Sequence, residues 1–251
     1  MVTPNTIENP PDLSGLSIFA ATRIVSLIPG DGTDLTIAAA IAALPAAGGS
    51  IFIKQGTHPF TPAGTLPANL EIVGTGNLAS EIALGGALTF GLGNALKDAK
   101  ISGAFTVSLG VEFYAEGARF ASAVIIPVGA DRVTLIGNRF EFVGARSLDI
   151  VAGSEDAVIQ GNFFSGFTSE AIRTEGLSAI VTENVNCEVT EIGTADGNRY
   201  DDNIGFSTST IIGPDSIVNG VRRKGVTAGA TTGAFVTQFT HKNPKGLMGI
   251  G

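Results

Sequence analysis

One cysteine, two histidines, two tyrosines and no tryptophan occur in 251 residues, and each scarcity removes a class of chemistry. A lone Cys187 permits no intrachain disulfide, no zinc knuckle and no CxxC redox pair, so stability has to come from packing. His58 and His241 come with no GxSxG elbow, which argues against a Ser-His-Asp hydrolase. Long apolar runs are missing too. None reaches the roughly 18 residues that span a bilayer, so no membrane span is expected. The opening MVTPNTIENPPDLSG lacks a basic start followed by an apolar core, and no signal peptide is expected from it. Charged residues make up only 15%, fewer than a helical bundle with Glu- and Lys-rich faces would carry.

What is abundant is glycine, 34 residues, alongside 44% hydrophobic residues. That balance excludes a disordered chain and suits many short strands joined by tight turns. Acidic groups outnumber basic ones 23 to 15, for a net charge of −8. No acidic residue follows Asp215, whereas Arg222, Arg223, Lys224, Lys242 and Lys245 do, so the body is strongly acidic and the tail basic. An acidic body with few aromatics excludes nucleic acid as a partner. A basic tail of this kind is suited to docking on an acidic surface of its own or a neighbouring copy.

The segment Gly30 to Phe60 packs a turn, an apolar helix, a glycine stop and a strand into one unit. Gly30, Asp31 and Gly32 are turn formers, Asp34 is placed to cap the helix, and Leu35 to Leu44 is apolar and alanine-rich. Pro45, Gly48 and Gly49 end the helix. Ser50 to Ile53 then reads as a strand closed by a turn at Gln55-Gly56-Thr57. This order resembles the start of pectate-lyase-like right-handed parallel β-helices, where a short helix plugs the coil and a "GG-strand-GTY" segment lays the first rung. Here His58 stands where that pattern usually has an aromatic.

A repeat in the middle of the chain points the same way. Val133 to Phe140, Val158 to Phe164 and Ile180 to Asn186 echo one another, with Asn138, Asn162 and Asn184 spaced by 24 and 22 residues, and Phe120 lies 20 before Phe140. Residues of one type recur at one corner when rungs stack. Asparagine suits such a corner because it tolerates left-handed backbone and its amide bonds to neighbouring rungs. The three asparagines are therefore read as a structural ladder. Short strands fall between corners at Leu70 to Val73, Ile82 to Leu84, Ala99 to Ile101, Phe113 to Ala115, Leu148 to Val151, Ala171 to Arg173 and Ile211-Ile212. The run Asp196 to Asn203 reads as a solvated loop. The expected organisation is an N-terminal tail over 1–29, an all-β right-handed parallel β-helix over 30–220 and a C-terminal β-hairpin tail over 221–251.

Members of the resembled family that cleave acidic polysaccharide use clustered carboxylates on one sheet, paired for hydrolysis or binding calcium beside a basic residue. The nearest match here is Asp149 on one rung with Glu170 and Arg173 on the next. These are the candidates if the chain is a small polysaccharide lyase or glycoside hydrolase, and no catalytic set is favoured. No metal or cofactor is expected. Asp31-Gly-Thr-Asp34 lacks the ligands of a calcium loop, and Gly74-Thr-Gly76-Asn-Leu-Ala79 is followed by glycines rather than a helix. The resemblance implies instead a non-catalytic virion protein of a bacteriophage: a capsid decoration, tailspike or fibre component. Such proteins are usually homotrimers that meet other virion proteins and host polysaccharide. Phe235 and Phe239 in the tail, with Arg222, Arg223 and Lys224, are the expected assembly residues.

Overall fold

The computed structural model describes residues 22–204, 207–210, 213, 215–218 and 221–222. They form a parallel β-solenoid of about eight turns, matching a right-handed parallel β-helix, with one short helix. Successive turns lay their strands on three sheets: A with 11 strands, B with six and C with seven. Every ladder is parallel except the last pair of sheet A, Ile217–Val218 with Val221–Arg222.

The core follows from period-two alternation. In Leu70–Gly74, Leu70 and Ile72 are buried while Glu71 and Val73 face outward. Parallel register then places like on like. The inner column of sheet B runs His58, Ile82, Ile101, Phe120, Phe140 and Phe164, all buried. Its last three rings stack at 5.0 and 4.8 Å, close to the spacing of neighbouring strands. His58 occupies the first place of this column, with Nε2 2.9 Å from the Lys54 carbonyl.

Corners are set by backbone that curls left-handed. Between sheets A and B, Asp98, Gly117, Gly137, Gly161, Glu183 and Asp202 all have positive φ. The ladder asparagines follow one residue later and do not, so left-handed tolerance is not why asparagine is there. Its reason is hydrogen bonding. Oδ1 of Asn138, Asn162 and Asn184 accepts the main-chain N–H of Ala118, Asn138 and Asn162 in turn, at 2.8–2.9 Å. Each Nδ2 donates to the carbonyl of the central, inward residue of the preceding rung's sheet A strand, Ala115, Leu135 and Ile159. Asn203 extends the ladder by one more rung, accepting from Asn184 N.

The stretch Asp196 to Asn203 is a rung and not a solvated loop. Arg199–Asp201 is a sheet A strand with Tyr200 fully buried. Four charged residues in eight positions hid one inward aromatic. Ile211-Ile212, Phe235, Phe239, Arg223 and Lys224 lie outside the described residues, and Arg222 ends the final strand.

At the other end the coil begins before Gly30. Strand β1 (Thr22–Val25) pairs with β2 (Gly49–Ile53), and α1 (Ile37–Ala42) lies between them in sequence. Gly56 opens the next strand, β3 (Gly56–Phe60), so the expected turn there is confined to Lys54 and Gln55. Helix α1 buries Ile37 and Ala40 and packs on β1, β2 and β3, covering the open end of the core. Six residues are too few for a helix to hold alone, so this packing sustains it. Its cap is Thr36, whose Oγ1 accepts from Ala39 N at 3.1 Å, and not Asp34. Asp34 instead takes a two-pronged ion pair from Arg23, both contacts 2.8 Å.

Such pairs make stability acid-sensitive. Hydrogen bonding from Arg23 holds the Asp34 carboxyl below its ordinary range, and Ser102 with Lys100 does so for Glu81. A carboxyl depressed by folding stabilises the fold above its unfolded value and loses that contribution as pH falls through the folded one. The melting temperature is therefore expected to be flat near neutrality and to fall below about pH 4, as followed by circular dichroism.

Candidate functional site

The candidate residues meet on the outer face of sheet C, on the strands Gly144–Ile150 and Phe167–Thr174. Alternation turns Leu148 and Ile150 into the core and leaves Asp149 outward, with Arg173 beside it in register. A register irregularity between Gly144 and Arg146 brings a fourth residue into place: Arg146 stands against Glu170. Sequence reasoning missed Arg146, because only the register across the two rungs makes it a neighbour.

Asp149 is occupied on both oxygens. Arg173 donates to it through Nε at 2.8 Å and Nη2 at 2.6 Å, and Arg146 adds a contact of 3.2 Å. Glu170 lies 3.1 Å from Arg146 Nε and accepts from the Ser169 hydroxyl. The carboxylate side chains retain only 13% and 11% of their exposure. Hydrogen bonding to Asp149 pushes the Arg173 guanidinium above its ordinary value, so it is a fixed cation and no proton acceptor. Two carboxylates and two guanidiniums thus neutralise one another. Glu175 lies beyond the strand and adds to the field on Arg173.

A hollow of about 230 Å³ adjoins this quartet, walled by Ile125, Phe142 and Ala145 and floored by Arg146 and Asp149. It offers one aromatic edge and an ion pair. A larger hollow of about 540 Å³ lies at the N-terminal end, against Leu27, Ile28, Phe52 and Lys54, far along the coil from the quartet.

Elsewhere the reactive side chains are withdrawn. Burial pushes the Cys187 thiol far up, so it is no thiolate nucleophile. Glu191 is fully buried and accepts from Asn198, Tyr200, Ser216 and the Gly213 amide. Among the described residues, no three His, Cys, Asp or Glu side chains are grouped to hold a metal ion. Nor is any helix among them long and apolar enough to cross a membrane.

No family model matches the chain, and no curated protein matches it. Solved structures with some likeness include ORF18 of Geobacillus virus E2, 12% identical over 68% of this chain, at a TM-score of 0.33. The match spans about half of that protein, 52%. Another is the A-module of the mannuronan C-5 epimerase AlgE6 of Azotobacter vinelandii, 14% identical over 72% of this chain and 73% of that one, at a TM-score of 0.28. Identity and superposition at this level bear on neither activity nor partner.

Proposed function

We propose that this chain is a non-catalytic structural protein of a bacteriophage virion, a capsid decoration, tailspike or fibre component that assembles as a homotrimer with other virion proteins. The observation that carries the non-catalytic part is the quartet: Asp149 and Glu170 are each held by a guanidinium. A general base needs a carboxylate free to take a proton, and a general acid needs one that keeps a proton near neutrality. Ion-paired carboxylates are poorly suited to either. The virion assignment rests on the resemblance of the Gly30 to Phe60 segment, and trimer formation on the basic tail, including Arg222, Arg223 and Lys224, meeting the acidic body of a neighbour.

A second reading, a small lyase or hydrolase of acidic polysaccharide, is favoured by the hollow beside Asp149, where Phe142 and Arg146 could face one sugar ring. One experiment separates the two. The purified chain is incubated with acidic polysaccharides, and unsaturated or reducing ends are counted, while antibody against the chain probes purified virus particles. The expected result is no product, particle labelling, and a trimer by sedimentation. Product release that Asp149→Asn abolishes, from a chain absent from particles, would replace this reading with the enzymatic one.

A further inference from the structure

The outermost strand of a solenoid has one side with no rung against it, a row of main-chain groups ready to accept another strand. In β1, Val25 serves the inner side, where its carbonyl accepts from Lys54 N at 3.0 Å. Ile24 and Ser26 turn the other way. The outward Ile24 N–H and carbonyl and the Ser26 N–H are nonetheless filled by Thr33 and Asp34. The Ile24 N–H donates to Thr33 Oγ1 at 2.8 Å, and the Ile24 carbonyl accepts from the amides of Thr33 and Asp34 at 2.8 and 3.0 Å. The Ser26 N–H donates to the Asp34 carbonyl at 3.0 Å.

Three further features press this turn against the edge. A side chain at Gly32 would stand 2.7 Å from the Ile24 oxygen, so only glycine lets the backbones approach this closely. Arg23 grips Asp34 through both oxygens, and the Thr33 hydroxyl donates to Asp34 Oδ2 at 2.7 Å. Asp31 is tied to Lys54 Nζ at 2.6 Å and to the Ser26 hydroxyl at 3.1 Å.

We infer that the Gly30–Asp34 turn is an edge guard: it fills the strand-accepting side of β1 so that a second copy of this chain cannot add a strand there, with the Arg23–Asp34 pair as its latch. A second copy is the occupant excluded because β1 ends an 11-stranded ladder whose strand spacing every copy repeats. Stacking would also cover Leu27, Ile28 and Leu35, which flank the turn and are 48%, 65% and 53% exposed. This inference stands apart from the virion reading, since an edge guard serves any solenoid that must not grow lengthwise.

The test uses the full chain with Arg23→Ala and, separately, Thr33→Val, which keeps the ion pair and removes only the hydroxyl facing Ile24. Two readouts are taken: hydrogen exchange at the Ile24 and Ser26 amides, and mass against concentration by sedimentation velocity with electron microscopy. For Arg23→Ala, exchange is expected to rise roughly tenfold, as loss of about one hydrogen bond would give. An open-ended series of lengthwise assemblies is expected beside it. The reversed pair, Arg23→Asp with Asp34→Arg, is expected to restore both. A folded Arg23→Ala chain that keeps the parent's mass, or one whose added assembly has a fixed mass, would overturn the inference, as would unchanged exchange. If Arg23→Ala does not fold, Thr33→Val decides by the same two readouts.

Discussion

Replacing Glu191 with leucine is expected to lower the unfolding free energy by about 3–5 kcal/mol, the scale for removing one partner from a buried charged network. That corresponds to a fall in melting temperature of roughly 10 °C for a chain of this size. Glu191 has no exposed surface. Its Oε1 accepts from Tyr200 and Ser216, both at 2.7 Å, and from Asn198 at 3.0 Å, while Oε2 takes the Gly213 amide at 2.8 Å. Burial, with the nearby Glu191 charge, pushes the Tyr200 phenol well above its ordinary value, so the hydroxyl stays a donor throughout the neutral range. Leucine fills the volume but deprives all four donors of this acceptor. Glu191→Gln keeps one oxygen and turns an NH₂ toward a donor, so about half the loss is expected. Urea melts with an unchanged m-value would read both. An unaltered midpoint in the leucine variant would mean that the last turns are held by something else.

Asn162→Leu is the second large effect, about 2–4 kcal/mol from the two or three polar groups it leaves without their present bonds. The substitution deprives the Asn138 amide and the Leu135 carbonyl of their partners, at 2.8 and 2.9 Å, and the Asn184 side-chain oxygen of a donor at 3.0 Å. All of these groups sit in the buried interior of the corner. Because adjacent rungs share the ladder, the loss should appear as one cooperative shift of the thermal transition. Unchanged melting together with lost binding to a polysaccharide would instead make the ladder a ligand site.

Several local features were legible without coordinates because they depend on near neighbours in the chain. Glycines and asparagines bounding runs of three to five apolar-alternating residues mark strands and corners wherever they occur, and stacking makes the marks recur. Where reading by residue type misled, two chemically suitable residues competed or a partner lay a full turn away. Asp34 and Thr36 are both good caps. Only the return of Arg23 alongside Asp34 decides between them. At the corners, the left-handed residue and the hydrogen-bonding asparagine are adjacent, and one residue was credited with both tasks. Arg199 and Asp201 made their strand look solvated, yet only Arg199 is exposed, while Asp201 pairs with it and Tyr200 is fully buried.

The solenoid, its inward phenylalanines and its asparagine corners were thus determined by the sequence alone, since backbone stereochemistry and side-chain alternation act over a few residues. Which charges meet was decided only by the tertiary structure. Successive ladder contacts bridge 20, 24, 22 and 19 residues, so the turns differ in length and no single period predicts what lies beside what. Whether Asp149 is a poised base or one arm of a neutral quartet depends on ångström-scale separations across those unequal turns. Coulombic and hydrogen-bond energies change steeply over such distances, and residue order along the chain does not specify them.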